Sequence, residues 1–502
     1  MRGVMLAGLG LLAFAFGWAD APARAQDIEP NAQPLAASLR EETLLPEAVL
    51  RSSALTFPSI LEAFEREAAS RSDQLAADGA FDLILNAEYY DRYTGTFSGG
   101  YAEGKITQPI APFGGEIFGS YRLSDGDFPI YENIYNTNEL GEFKVGALFS
   151  LLRNRRIDQR RFAVEDTRLA ASQARLDVLL VQLNVQFEAL RAYWRWVAAG
   201  GEVRVYEGLL EIAEARAIGL ARQVEAGATP EIALTENEQN LIRRKSLLEE
   251  AKRTFVTAAN SLSFYLRDEG GELIVPLREQ LPATEQLAVL PSMQSLLAMA
   301  RSDILDQRPE LRNFRLQLER ARNKVELQRN DLKPTLDATV ELSRDFGPIG
   351  DGGPSFDSTD TIIGLTFTVP LQRRAARGAV QRAEAELRAI ERQEQRTADQ
   401  IRVELDNILA NLNASLRLAS LANDEVTQRN TMVEAERKRF ALGAGNFFLV
   451  NVREEDAADA DGASEKLEEG EGLAEDEGDS DDDDDSFGGI GDGLRDCAGF
   501  LD

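Results

Sequence analysis

The sequence contains no histidine and only one cysteine, Cys497, which excludes several common kinds of functional site. Histidine is the usual acid–base residue near neutral pH and a common metal ligand. A single cysteine permits no disulfide within the chain and no cysteine-based zinc site. The sequence also has no nucleophile paired with a base and no glycine-rich phosphate loop. It therefore predicts a protein without enzymatic activity, cofactor or bound metal.

Positive charge is scarce, and the formal net charge is −30. Residues 456–502 contribute −17 of that total, through 19 acids and two bases. No basic surface is predicted, so nucleic acid is not an expected partner. The acidic end has too few apolar side chains to offset the entropy of ordering, which predicts a disordered, solvated tail. A calcium-binding tail, a shifted reading frame and a fused end are the alternatives.

Long apolar runs are confined to the N-terminus. Arg2, the apolar residues 4–18 and Ala23-Arg24-Ala25 together predict a secretory signal peptide over residues 1–25. The alternative is a retained membrane anchor, although the run is shorter than the ~17–25 residues that a membrane helix needs. No other stretch is apolar over such a length. Any further membrane contact must therefore be made by strands.

What the sequence does contain is one passage twice, about 218 residues apart. In the first copy, residues 145–150 (VGALFS) lead through two arginines into a long charged, leucine-rich segment. In the second copy, residues 363–368 (IGLTFT) lead through two arginines into a similar segment. This duplication predicts two structural repeats, each of which needs a larger assembly to bury its apolar faces.

Four segments alternate polar and apolar residues with the period of two that marks a half-buried strand. They are residues 117–123, 143–149, 335–342 and 363–369, and turn-rich loops join them into two hairpins. One interpretation is the wall of a membrane barrel, apolar toward lipid and polar toward a lumen. The other is a soluble sandwich, and the signal peptide favours the outer membrane. Residues 81–110 hold a further strand, either in an extra hairpin or as the true first strand before a long loop.

Apolar residues repeat every seventh position after the first hairpin, which predicts long supercoiling helices. Helices are expected over about residues 155–226 and 377–442, with a returning helix over 234–264 and a local bend at Gly200-Gly201. Shorter helices are expected at about 35–77 and 292–331, before the hairpins. A lone coiled-coil scaffold is the alternative, although scaffolds do not usually have a hairpin before each long helix. The main heptad residues are Phe162, Leu169, Leu176, Leu183, Leu190 and Val197, with Leu180, Phe187 and Trp194 on a second seam and Ile401, Leu405, Ile408 and Leu412 in the second copy.

Four short motifs accompany the duplication. They are Arg308-Pro309-Glu310-Leu311, Lys333-Pro334-Thr335-Leu336, Thr368-Val369-Pro370-Leu371 and Phe440-Ala441-Leu442-Gly443. Their order and spacing resemble the TolC-like outer-membrane exit ducts of efflux pumps and type I secretion systems, over roughly residues 35–455. The resemblance implies a mainly α fold with a small β part, namely a long coiled-coil helical barrel joined to an outer-membrane β-barrel. A homotrimer would share this twelve-stranded barrel, with four strands from each chain.

The resemblance also implies partners and sites. The partners are outer-membrane lipid, a periplasmic adaptor (membrane fusion) protein and, through it, an inner-membrane pump or ABC transporter. The expected adaptor-facing tips contain Gly227, Pro230, Gly443 and Gly445, although plain helix reversals are the alternative. The residues expected near the periplasmic mouth are Glu231, Glu236, Phe447, Phe448 and Asn451. Phe447 and Phe448 either form an apolar constriction or pack between helices.

Arginines mark both strand-to-helix junctions. They are Arg153, Arg155, Arg156, Arg373, Arg374 and Arg377. One interpretation is that they anchor the protein at the membrane boundary, with stems along apolar surface and charged ends in water or on lipid phosphate. The other is ordinary solvated charge at the start of a helix.

These observations predict a signal peptide (1–25), a first repeat (26–266), a linker (267–291), a second repeat (292–455) and an acidic disordered tail (456–502). Since the acidic tail replaces the family's last helix, no helix is expected to return from the second tip. The predicted function is a passive exit duct of a tripartite efflux or type I secretion system, in the outer membrane and periplasm. The alternative is a periplasmic coiled-coil scaffold without channel activity.

Overall fold

The structure, a computed structural model, describes residues 43–283, 304–349, 358–442, 444–445 and 447–468. The predicted signal peptide and residues 469–502 of the predicted tail lie outside this part. The described helices are α1 (Pro46–Thr56), α2 (Pro58–Asp78), α3 (Gln159–Glu225), α4 (Ile232–Ser263), α5 (Ile304–Gln307), α6 (Pro309–Asp331), α7 (Arg374–Ala441) and α8 (Phe447–Glu468). The strands are β1 (Ile84–Tyr90), β2 (Gly100–Ile110), β3 (Gly115–Asp125), β4 (Glu142–Ser150), β5 (Thr335–Asp345) and β6 (Asp360–Thr368).

The two long helices are confirmed. α3 has 67 residues and α7 has 68, and each follows a β-hairpin. At the start of α3, the Asp158 carboxylate accepts a hydrogen bond of 2.8 Å from the backbone N–H of Arg161, which satisfies one free donor of the first turn. α1, α2 and α6 each begin with a proline, which fits the first turn because no backbone N–H is needed there.

The six strands form one antiparallel sheet in the order β1-β2-β3-β4-β5-β6. The predicted hairpins are β3–β4 and β5–β6, and β4 pairs with β5 to join the two halves of the chain. The register places Ser120, Lys144 and Ser343 side by side in one row across the middle of the sheet. Side chains in one such row share a face, because neighbouring positions along a strand point to opposite faces.

The expectation of four strands per chain was wrong, because residues 84–110 add a hairpin to the sheet. β1 pairs with β2 over seven residues, and β2 pairs with β3 over eleven. The turn between β2 and β3 passes through Phe113 and Gly114, which both have positive φ angles. This answers the alternative that the sequence left open: the strand at 84–90 is part of an extra hairpin rather than the start of a long loop.

The helices lie side by side beneath the sheet. α3 contacts α2 and α6, and α6 contacts α7, so that near the sheet the row reads α2-α3-α6-α7. Farther away, α4 packs on α3 and α8 packs on both α7 and α3, which gives the row α4-α3-α8-α7. The largest buried cluster lies between α3, α4 and residues 44–49, where Tyr193 and Trp196 are fully buried and the Tyr193 hydroxyl donates to the Leu44 carbonyl at 3.0 Å.

The expected bend at Gly200-Gly201 does not interrupt α3, which continues as one helix through both glycines. A Cβ atom at Gly200 would lie 2.4 Å from the side chain of Leu281. Glycine at this position therefore leaves space for the Leu281 side chain against the helix.

The prediction of disorder from residue 456 and of no returning helix was wrong for residues 456–468, because α8 continues to Glu468. Large heptad residues are indeed missing there, but Ala457, Ala458 and Ala460 are buried at the helix contact. The guanidinium of Arg429 on α7 donates to the backbone carbonyl of Asp456 at 2.7 Å. Small side chains let the helices approach closely, so this contact escapes a search for leucine heptads.

Among the described residues, none of the helices combines the length and apolar character required to cross a bilayer.

Candidate functional site: a two-faced sheet and a helix tip

One face of the sheet is apolar and exposed on all six strands. Rows of paired residues run across it, for example Ile117 with Ala147 and Val340, and Val340 with Ile363. Water would not normally face such a surface, which extends well beyond scattered single residues. The exposed large side chains on this face are Leu85, Tyr89, Ile106, Ile117, Tyr121, Leu123, Phe143, Val145, Val340, Leu342, Ile363, Leu365 and Phe367.

The opposite face is polar and carries a row of charged residues. Glu103, Arg122 and Glu142 lie on adjacent strands. The Arg122 guanidinium lies 2.9 Å from a Glu103 carboxylate oxygen and 3.6 Å from one of Glu142. Lys105 lies on the same face and places its ammonium group 4.6 Å from the centroid of the Phe118 ring. The sheet therefore has the two-sided character expected of a barrel wall.

The outer loop, residues 126–141 between β3 and β4, folds back over this polar face. Its Tyr135 ring stacks on Tyr101 with 4.7 Å between centroids, and Arg122 donates to the Ile134 carbonyl at 2.8 Å. The backbone N–H of Thr137 donates to Ser124 Oγ at 2.6 Å. The loop lies at the end of the sheet away from the helices, because the other end of β3 adjoins the start of α3. Sequence analysis did not predict this packing.

The predicted boundary arginines do lie where sheet and helices meet. Arg153 pairs with Asp331 at 2.8 Å, and the guanidinium of Arg373 donates to the Leu332 carbonyl at 3.1 Å. These two therefore hold the junction together. The side chains of the other four, Arg155, Arg156, Arg374 and Arg377, are exposed.

The predicted tips are turns at the far ends of the long helices. Gly227 has a φ angle of +72°, which favours glycine, and Pro230 is exposed beside it. Gly445 lies in the second turn, where an added Cβ atom would come 2.7 Å from the backbone nitrogen of Phe440. Gly443 lies outside the described residues. The two turns are neighbours, since Phe440 packs against the cluster of Leu220 and Ala233.

The predicted mouth residues do not form one group. Glu231 and Glu236 are exposed at the first tip, and Phe448 is exposed at the second. Phe447 is the first residue of α8. Asn451, in contrast, is buried and accepts a hydrogen bond of 2.9 Å from Arg216 of α3. Asn451 therefore joins two helices.

A buried carboxylate, Glu454, connects four helices close to the tips. Its side chain is 2% exposed and contacts three guanidinium groups. Arg244 of α4 lies 3.1 Å from it and Arg437 of α7 lies 2.8 Å from it, while Arg216 of α3 completes the set. Arg244 also donates to the Leu209 carbonyl at 2.7 Å. No pattern in the sequence predicted that these four residues, which lie on four different helices, would meet.

The charges around Glu454 determine its ionisation. Burial by itself would raise the pKa of this carboxyl group, but the hydrogen bond and charge of Arg216, with hydrogen bonds from Arg437 and Arg244, hold the pKa below its usual value. Glu454 is therefore ionised at neutral pH. Burial lowers the pKa of the Arg244 guanidinium, whereas its hydrogen bond to Glu454 and the charge of that carboxylate act in the opposite direction.

The described residues contain no group of three or more acidic or cysteine side chains placed to hold a metal ion. The tip and the sheet present surfaces and ion pairs.

Comparisons with known proteins show a family match over part of the chain and a shared fold over most of it. Residues 300–461 match the sequence model of the family described as outer membrane efflux protein. The solved outer-membrane channel OprN is 14% identical, with a TM-score of 0.57 over 84% of this chain and 86% of its own. VceC of Vibrio cholerae is 14% identical, with a TM-score of 0.58 over 84% of this chain and 92% of its own. CmeC of Campylobacter jejuni is 16% identical, with a TM-score of 0.56 over 84% of this chain and 82% of its own. No curated protein matches the sequence.

The expected resemblance to outer-membrane exit ducts is thus confirmed by the family match over residues 300–461 and by the fold over most of the chain. The relatives are outer-membrane channels or proteins by their own descriptions. The mainly helical fold with a small antiparallel sheet is confirmed as well.

Proposed function

We propose that this protein is the outer-membrane duct of an export system, a passive water-filled path through which an energised partner drives cargo. The two-faced sheet carries the proposal. Its apolar face is exposed on every strand, and its polar face is lined by charged side chains. Lipid would cover the apolar face and water would solvate the polar face, whereas a soluble scaffold leaves the apolar face exposed to water.

The working unit is a homotrimer. An open sheet cannot lie in lipid, because its edge groups find no hydrogen-bond partners there. Predicted seam residues on the long helices, Leu183, Phe187 and Ile408, are exposed in the single chain. Neighbouring copies provide the missing cover, so that the helices complete a tube below the barrel.

The tips receive a periplasmic adaptor, which connects the duct to an inner-membrane pump or ABC transporter. Gly227, Pro230 and Gly445 lie on exposed or half-buried turns at the end farthest from the sheet, and Glu231 and Glu236 add exposed negative charge beside the first turn. The Glu454 ion pairs fix the relative position of the helices that carry both turns.

Membrane fractionation with native mass measurement tests the proposal. The duct should sediment with outer membranes, resist extraction by salt and remain a trimer in detergent. A protein that salt releases, or that is monomeric and soluble without detergent, would contradict the proposal and favour the scaffold. The neighbouring genes distinguish efflux from protein secretion, since a resistance-type pump indicates the first and an ATP-binding-cassette transporter the second.

The exposed arginines at the junction anchor the wall at the inner edge of the membrane. Reversal of Arg374 and Arg377 to glutamate should lower the amount of protein inserted in outer membranes, because carboxylates are repelled by lipid phosphate. The matched control reverses Arg388 and Arg392, which are exposed farther along α7. Equal insertion of both double variants and the parent protein would show that the junction arginines are ordinary solvated charge.

A further inference from the structure

The sheet of one chain ends in two strands that are exposed along their whole length. Among the described residues, β1 is hydrogen-bonded to β2 alone and β6 to β5 alone, so each offers one open backbone edge. All seven residues of β1 are exposed, and so are eight of the nine in β6. In lipid each unpaired backbone group costs several kcal/mol, so both edges require a partner.

We propose that β1 of one copy pairs with β6 of the next copy, so that each chain contributes six strands and three copies close an eighteen-stranded wall. This inference rests on the proposed trimeric duct and changes its construction. Four strands per chain would give a wall of twelve, with β1 and β2 left outside it.

Strand direction supports this pairing. β1 follows α2 and runs away from the helices, whereas β6 runs back toward α7. Placing β6 of one copy beside β1 of another therefore makes an antiparallel pair, as at every other position in the sheet. The contact joins two different edges, and such head-to-tail contacts generate a closed ring when the rotation between copies closes.

The apolar face also supports six strands per chain. Leu85 and Tyr89 on β1 and Ile106 on β2 lie on the same face as Ile117 of β3. All four side chains are exposed in the single chain. If β1 and β2 were not part of the wall, Leu85, Tyr89 and Ile106 would face water with nothing to cover them. As part of the wall, they extend the lipid-facing surface across two further strands.

The alternative twelve-stranded wall requires β3 to pair with β6 of a neighbour. The edge of β3 that would make this contact is already hydrogen-bonded to β2 along eleven residue pairs. Freeing this edge of β3 breaks its hydrogen bonds to β2 and replaces them with similar hydrogen bonds to β6, so nothing favours the exchange. A barrel of about 16–18 strands also encloses an aqueous channel, which leaves room for the outer loop on the polar face.

Disulfide cross-linking in isolated outer membranes tests the pairing, in a Cys497→Ser background. Asn86→Cys or Glu88→Cys on β1 is combined with Ile362→Cys, Gly364→Cys or Thr366→Cys on β6. All five positions lie on the polar face, and the spacing covers alternative registers. The proposal predicts that mild oxidation yields covalent species of two and three times the chain mass from at least one pair.

Two controls make the result decisive. Ser120→Cys on β3, combined with the same β6 variants, should stay monomeric under oxidation. Ser343→Cys with Asp360→Cys, which face each other across β5 and β6 of one chain, should lose both free thiols and thereby show that the oxidant reaches the polar face. Cross-linked multimers from the Ser120 pairs, or only monomers from all β1–β6 pairs, would overturn the six-strand wall. Salt-extractable monomer would instead overturn the duct itself.

Discussion

At the scale of single residues, Glu454 is a buried charge that contacts three guanidinium groups. Its carboxylate lies out of water among Arg216, Arg244 and Arg437, which belong to three other helices. The sequence patterns did not single out Glu454, because its contacts with Arg216 and Arg244 span more than 200 positions and leave no periodic pattern. The tip geometry therefore depends on an interaction that no local rule predicts.

Glu454→Ala should loosen the tips without unfolding the sheet end. Removal of one member of a buried ion pair leaves uncompensated charge and costs about 3–5 kcal/mol. Amide hydrogen exchange in α4 and α8 should speed up accordingly, while exchange in β2 to β5 stays unchanged. The matched control is Glu455→Gln, because Glu455 pairs with the exposed Arg243. That change should cost less than about 1 kcal/mol, and equal effects of the two variants would contradict the role of Glu454.

The pH dependence of the tips follows from the same group. The pKa of Glu454 is lower in the folded protein than its ordinary value, so its stabilising effect is complete above the unfolded pKa of about 4.3. The stabilisation falls as the pH drops through the lower, folded pKa. Amide hydrogen exchange in α8, expressed relative to the intrinsic exchange rate at each pH, should therefore rise in acid below about pH 4. Glu454→Gln should flatten that rise. A rise near pH 7 would assign the effect to another group.

At the scale of elements, period and position were predictable and contact partners were not. Alternation located five of the strands and the heptads located α3 and α7, since each pattern repeats within its own element. β2 was covered only by the extra-hairpin alternative over residues 81–110, because Gly104 and Gln108 interrupt its own alternation on the apolar face. The helical part of α8 beyond Glu455 was missed because alanines make its contact. The structure therefore corrects the sequence-based prediction at β2 and α8, where large apolar residues are missing from the pattern.

Truncation tests the extent of α8. A chain that ends after Glu468 should insert and assemble like the full chain, because it keeps the buried alanines at 457, 458 and 460. A chain that ends after Glu455 should lose the part of the helix contact that these alanines make and yield less trimer. The measurement is the trimer yield in outer membranes at equal expression. Equal yields from both truncations would mean that residues 456–468 add nothing to assembly.

At the scale of the whole molecule, a single copy exposes surfaces that the proposed trimer would cover. The apolar sheet face, both sheet edges and the seam residues Leu183, Phe187 and Ile408 are all exposed in one copy. The duplication in the sequence predicted that a larger assembly is needed to bury these apolar surfaces. The family resemblance implied the β-barrel. The number of strands came only from the structure, because strand pairing depends on contacts between distant segments.

The most direct test of the account asks what each face of the sheet touches. Leu365 on β6 is 69% exposed on the apolar face, and its neighbour Thr366 is exposed on the polar face. A nitroxide is attached to Leu365→Cys or Thr366→Cys, each in the Cys497→Ser background, and the protein is placed in lipid vesicles. If the apolar face contacts lipid, membrane-dissolved oxygen relaxes the label at position 365, whereas a water-soluble nickel complex relaxes the label at 366. A label at 365 that is shielded from oxygen, or that the nickel complex reaches, would contradict a wall in lipid.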